Sequence, residues 1–223
     1  MLARMHRAVP LLALAAFVLL LALVGAGWGP VQRLDGAVSE AARRYGRAHP
    51  GLVDVLRIAT DVAATGAYLA AGTVLTVVHA LRRRPRRAAF CAAVTVTIPV
   101  LWGLLHWLMY RPRPTDGFVV VTSNGFPSGH ASNAAAAALA AVLLLWPRLR
   151  RAGRVAAVLV AAAFALFVAV TRVALLAHWP SDVVGGGLLA LAVVPLLGGA
   201  VARAPRRPLR GRRKPDASRR RTS

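Results

Sequence analysis

Six stretches of this chain are apolar enough, and long enough or nearly so, to cross a lipid bilayer, and no other feature limits its fold as strongly. They run over 8–28, 62–81, 88–109, 131–147, 155–177 and 183–202. A helical crossing needs about 20 residues. In hydrocarbon a lone segment satisfies its backbone hydrogen bonds only within itself, so each stretch must be helical. The expected fold class is all-α: a polytopic membrane protein with six transmembrane helices in one domain over 1–203. The fourth stretch is short and alanine-rich, so its first turn is expected in a buried site rather than in lipid. Arg4 and Arg7 before the first stretch, with Val24-Gly25-Ala26 near its end, also fit a signal peptide. The apolar run is long for one, and an uncleaved span is the expectation.

Charge distribution sets the orientation. The chain is 57% hydrophobic and only 16% charged, yet its formal net charge is +22. A soluble domain this apolar would expose large apolar patches, and a disordered basic protein would be far less hydrophobic. Charge and apolar residues instead occupy different stretches. Arg4 and Arg7 precede the first span, Arg82, Arg83, Arg84, Arg86 and Arg87 follow the second, and Arg148, Arg150, Arg151 and Arg154 follow the fourth. Ten more basic residues lie between Arg203 and Arg221. Six crossings put all of these, 21 of the 29 basic residues, on one side with a single acid, Asp216. That side is expected to be the cytoplasm, with both termini in it. The other side takes eight basic residues and six acids.

Two pieces do not span. Residues 29–61 form an outer connection with apolar positions at Val31, Leu34, Val38, Ala41 and Ala42, a Pro50-Gly51 break, then Leu52, Val55, Leu56 and Ala59. Two amphipathic helices at the membrane interface fit this pattern, as does a cap over the bundle. Residues 204–223 have no apolar period and read as a disordered basic tail. Its nearest partner is the anionic lipid of the adjoining leaflet rather than nucleic acid. Cys91 is the only cysteine, so neither an intrachain disulfide nor a thiolate metal cluster can form.

Polar residues gather at three outer span ends. His106-x6-Arg113-Pro114 follows the third span, with Arg111-Pro112 inside it. Pro127-Ser128-Gly129-His130 opens the fourth, and Thr171-Arg172-x5-His178-x3-Asp182 follows the fifth. Ionisable groups at membrane depth are costly and face a protein interior or wet cavity, so three such clusters on one face point to one site. Several arginines suit an anion with faces of oxygen, most simply phosphate. A helix opening at Ser128-Gly129 adds a hydroxyl and free N–H groups. A histidine near an aspartate four residues on can act as a nucleophile, and a second histidine can protonate a leaving oxygen. Carboxylates are too few for a two-metal centre, so neither metal nor cofactor is expected. These parts describe phosphoryl transfer through a phosphohistidine.

The three blocks resemble, in order, the signature of the type 2 phosphatidic acid phosphatase superfamily, the lipid phosphate phosphatases related to vanadium haloperoxidases. That pattern is Lys-x6-Arg-Pro, Pro-Ser-Gly-His and Ser-Arg-x5-His-x3-Asp. The resemblance implies roles position by position. His178 would take the phosphoryl group, and Asp182 would hold its other ring nitrogen. His130 would be the acid for the leaving group and then the base for water. Arg113 and Arg172 would clamp the phosphate with Ser128 and the Gly129 N–H. The sequence departs from the pattern at Thr171, which keeps the hydroxyl of serine, and at His106, which stands where the family has lysine. His106 would then be a weaker phosphate ligand, with Arg111 a candidate to compensate. The implied substrate is a lipid phosphate or polyprenyl diphosphate, hydrolysed at the outer face. A phosphotransferase using the same intermediate is a second reading. A transporter or scaffold binding anionic headgroups is a third, disfavoured because the charges sit at span ends rather than at mid-membrane.

Overall fold

The structure, a computed structural model, describes residues 8–204; the expectations for Arg4, Arg7 and tail residues 205–223 lie outside the described residues. Eight helices follow in order: α1 (Ala8–Gly25), α2 (Gly29–Ala48), α3 (Pro50–Thr60), α4 (Thr65–Leu81), α5 (Pro85–Leu108), α6 (Gly129–Leu145), α7 (Arg151–Ala174) and α8 (Pro180–Arg203). Among the described residues there is no strand. Among the described residues, six helical runs are long and apolar enough to span a membrane. The chain is an all-α, multi-pass membrane protein. The second run is longer than its sequence pattern predicts, Pro50–Leu81, because α3 passes into α4 through a single tight turn at Asp61–Ala63.

Helix α6 is the centre, with α4, α5, α7 and α8 packed around it and α1 lying along α8. Its alanines explain the position. Ala131, Ala134, Ala135, Ala136 and Ala138 are buried, and small side chains let neighbouring helices approach closely. Tyr68, Phe90, Val94, Ile98, Leu143 and Val194 fill the core beside it. The outer helix α7 buries only Val168, Thr171 and Arg172. Its Val158, Leu159, Val160 and Leu166 are exposed, as suits a face turned to hydrocarbon rather than water.

Alternating directions bring the ends of α5 and α7 and the starts of α6 and α8 to one end of the bundle, so the three polar blocks share it. Arg82, Arg83, Arg84 and Arg86 lie exposed at the opposite end, where Arg86 Nη2 donates to the Ala204 carbonyl at 3.0 Å. Helices α6 and α8 begin two and three residues before their apolar runs do. Their first turns are polar, and hydropathy alone reads such turns as loop. Helix α7 stops three residues early, at Ala174, for a reason that concerns the site.

Both pieces of the 29–61 connection are helical, and both also cover the site end by packing on α7, with α2 on α8 as well. Helix α2 has three faces at about 100° per residue. Asp35, Ser39 and Gly46 face the bundle and are buried. Leu34, Val38 and Tyr45 form an exposed apolar stripe. Arg33, Glu40, Arg44 and Arg47 form an exposed polar one. In the run Gly185-Gly186-Gly187, only the first two lie at close contacts. A Cβ on Gly186 would come within 2.8 Å of the Ser128 carbonyl, and one on Gly185 within 2.6 Å of the Phe126 ring, whereas Gly187 faces open space.

Candidate active site

The end of α7 aims the first site residue. Leu176 takes a left-handed backbone, φ 53°. The Ala177 N–H donates to the Arg172 carbonyl at 3.0 Å, and the Leu176 N–H to the Val173 carbonyl at 2.9 Å. This is the paired helix-ending bond pattern in which glycine is usual. A leucine there costs about 1–2 kcal/mol of backbone strain, offset by a side chain that is buried outright. The reversal stops the helix and turns His178 inward, where it is 2% exposed.

The partners of His178 fix its tautomer. Nδ1 lies 2.9 Å from the Gly125 carbonyl, which can only accept, so Nδ1 carries the proton and donates. Nε2 lies 2.8 Å from Arg113 Nη1, which can only donate, so Nε2 is unprotonated and its lone pair accepts that bond. Burial, then the charges of Arg113, Arg172 and His106, push the imidazole well below its ordinary range, against the Gly125 hydrogen bond. Enclosure thus favours the uncharged ring over the imidazolium. Asp182 Oδ2 sits 3.5 Å from Nδ1 and accepts from the Trp179 N–H at 2.9 Å, so the Gly125 carbonyl is the nearer partner of that nitrogen.

Arg113 staples the connection between α5 and α6 around this ring. Its Nε donates to the Ser123 carbonyl at 2.7 Å, and its Nη2 to Ser123 Oγ at 3.0 Å and the Asn124 carbonyl at 2.9 Å. Nη1 also donates to the Ala177 carbonyl. Arg172 differs. It is buried, its Nη1 donates to Thr60 Oγ1 at 3.3 Å, and its Nε is buried with no partner. Such an orphaned donor is costly unless a ligand satisfies it. The Thr171 hydroxyl lies 3.1 Å from that of Thr60 and donates to the Val168 carbonyl.

The start of α6 supplies the third side. Ser128 is its N-cap, accepting from the Ala131 N–H at 3.4 Å, and its own N–H donates to the Asp182 carbonyl at 2.9 Å. Gly129 is the first helical residue, so its N–H is one of the donors that lack an intrahelical acceptor. His130 follows, half-buried and within electrostatic reach of Arg172, His178 and Arg113. The structure thus brings all eight expected residues to one end of the bundle, with the N–H groups of Arg113 already taken by protein acceptors. His106, within electrostatic reach of His178, is among them. Its Nε2 donates to the Pro127 carbonyl at 2.7 Å and is committed to the backbone of the second block.

Several residues here carried no signal in the sequence. Asp35 of α2 is buried and accepts from the Ser181 N–H at 2.9 Å, from the Ser181 hydroxyl, and from Arg111 Nη2 at 2.6 Å. Arg111 also donates to Ser181 Oγ at 2.8 Å, and its Nε stands 3.2 Å from Asp182 Oδ1, an ion contact without hydrogen-bond alignment. Arg111 is therefore largely buried, and its Nη1 is left without a partner. Thr60 and the Gly125 carbonyl were equally invisible. Among the described residues, no group of three or more His, Cys, Asp or Glu side chains could hold a metal ion.

No curated protein matches the chain significantly. A solved structure, described as the first transmembrane PAP2 type phosphatidylglycerolphosphate phosphatase from Bacillus subtilis, superposes with a TM-score of 0.77 at 27% identity. The match covers 88% of this chain and 98% of that one. The PAP2 superfamily model matches residues 61–204, which include all three polar blocks. Matched over most of its length, the chain belongs to the PAP2 superfamily and is a multi-pass membrane phosphatase.

Proposed function

We propose that the chain hydrolyses a lipid phosphate or diphosphate at the extracytoplasmic face through a phosphohistidine, without a metal. The observation that carries this reading is the setting of His178: a buried imidazole whose Nε2 faces an arginine donor at 2.8 Å, with the unpartnered Nε of buried Arg172 in the same site. In the first step Nε2 attacks phosphorus, the bond to the leaving oxygen breaks, and His130 gives that oxygen a proton. The Nη1–H of Arg113 passes from Nε2 to a phosphate oxygen. Arg172 Nε and the Gly129 N–H take other oxygens, stabilising charge where it develops. The Nδ1–H bond to Gly125 and the nearby Asp182 carboxylate stabilise the cationic ring. In the second step His130 takes a proton from water, water oxygen bonds to phosphorus, and the P–Nε2 bond breaks. Covalent transfer replaces one difficult displacement with two easier ones. His106 acts indirectly, its bond to Pro127 holding the turn that presents Ser128 and Gly129.

A lipid-borne phosphate suits a site at the end of a membrane bundle, and the likeness to the Bacillus subtilis phosphatidylglycerolphosphate phosphatase supports that class. The arginine-rich loops at the opposite end support an extracytoplasmic site. The test is phosphate release in detergent from phosphatidic acid, phosphatidylglycerol phosphate and a polyprenyl diphosphate, for wild type and His178→Ala. Release by the wild type alone, inhibited by orthovanadate and insensitive to EDTA, is expected. Full activity in His178→Ala, or no release from any of the three lipids, overturns the reading.

A further inference from the structure

Asp35 is a buried carboxylate on a helix that contributes none of the three polar blocks, and it reaches the nucleophile through a single arginine. Capping the start of α8 requires only one of its oxygens, and Oδ1 does this by accepting the Ser181 N–H at 2.9 Å. Oδ2 faces Arg111 Nη2 at 2.6 Å, a short charge-assisted bond. Arg111 in turn touches both partners of His178 Nδ1. Its Nε lies 3.2 Å from Asp182 Oδ1, on the carboxylate whose other oxygen is 3.5 Å from Nδ1. Its backbone carbonyl accepts the Gly125 N–H at 2.9 Å, and the Gly125 carbonyl is 2.9 Å from Nδ1. Arg111 therefore sets the place of both acceptors that hold the imidazole. The guanidinium spans two buried carboxylates and lies 5.8 Å over the Phe126 ring, with Nη1 unpartnered. Asp35 is its strongest anchor.

From this we infer that Asp35 is a positioning residue of the reaction, holding Arg111 so that Asp182 and Gly125 keep the nucleophilic ring in register. The inference rests on the phosphatase reading above. Asparagine at position 35 offers one oxygen to three donors, so either Ser181 N–H or Arg111 loses its acceptor. The phosphate donors Arg113, Arg172 and Gly129 are untouched, so the loss falls on kcat rather than KM.

The experiment is phosphatidic acid hydrolysis in detergent by wild type, Asp35→Asn, Arg111→Gln and the double variant, with His178→Ala as blank and thermal unfolding followed in parallel. Asp35→Asn is expected to lower kcat on the order of 100-fold, the scale of a misplaced reacting group, and to leave KM within about threefold. The double variant should be no slower than Arg111→Gln alone, because the two residues act in series. A kcat within about twofold of wild type, or losses that multiply in the double variant, overturns the inference while an active wild type keeps the phosphatase reading. No wild-type release overturns both. If Asp35→Asn does not purify as a folded species, Arg111→Lys takes its place. It keeps a cation for Asp35 but lacks the fork that reaches Asp182, and an unchanged kcat there overturns the inference.

Discussion

Arginine does two different things at the two ends of this bundle. At one end Arg82, Arg83 and Arg84 of the loop between α4 and α5, and Arg86 in the first turn of α5, are exposed. At the other, Arg172 is buried, and Arg111 and Arg113 are largely so, each held by named acceptors. An exposed guanidinium keeps its hydration and contributes through the sum of charge on its side of the membrane, where exact placement matters little. A buried one has lost that hydration and is tolerated only where oxygens replace it. Net charge therefore describes the first group, and local acceptor geometry the second.

The largest effect should come from the residue that the buried end exists to orient. His178→Ala is expected to lower phosphate release by ~10⁴-fold or more, and residual turnover near wild type in a stopped assay would break the contrast at once. Next comes Arg172→Gln, which removes the unpartnered donor. A fall in kcat/KM of about 10²–10³-fold is expected, the usual weight of one oxyanion donor, with Arg172→Lys restoring only part because a point charge does not reproduce the fork. Thr60→Val withdraws the acceptor beneath Arg172 Nη1, and a loss on the order of tenfold in kcat/KM, with a lower unfolding temperature, should follow. Replacing Arg82, Arg83, Arg84 and Arg86 together by glutamine should leave kcat in detergent within about twofold. The same change should alter topology in membranes, read by accessibility of a tag at residue 117. Equal kinetic losses at the two ends would remove the distinction.

Acid provides an independent test of the buried end. Burial and neighbouring guanidinium groups hold His178 well below 6.5. The folded site thus keeps its lone pair as pH falls through that value, and kcat/KM should show no acidic limb there. Stability moves the other way. Below about 6.5 the unfolded chain takes up a proton that folded His178 refuses, so unfolding becomes easier as pH falls. A kcat/KM midpoint near 6.5 would show that His178 is less enclosed than its partners indicate.

The helical bundle was legible because crossing a bilayer demands apolar runs of a length that few other structures need, and the site blocks were legible because ionisable residues stand out at the ends of such runs. What escaped has a common physical character. The Gly125 carbonyl that holds His178 is backbone, and any residue would present it. Asp35 meets Ser181 across 146 positions of sequence, and on paper it is one more polar residue of an amphipathic helix. The bond from His106 Nε2 to the Pro127 carbonyl likewise meets backbone, 21 positions away. Boundaries moved for a related reason. The polar first turns of α6 and α8 are held by caps and by Asp35, contacts that a hydropathy window does not weigh. The early stop of α7 is set by a leucine in a conformation no residue count announces.

The three-faced helix α2 also fixes a height. A helix with one stripe for hydrocarbon and another for water has a single stable level, the surface of the bilayer. Its third face carries Asp35 and grips the start of α8, immediately beyond the turn that presents His178. Under the proposed function, the His178 ring is thus tethered to the waterline like a gauge mark, at a constant altitude relative to the headgroups. Which phosphates reach it is then partly a matter of vertical reach, counted in the bonds between a phosphorus atom and the hydrocarbon that anchors it.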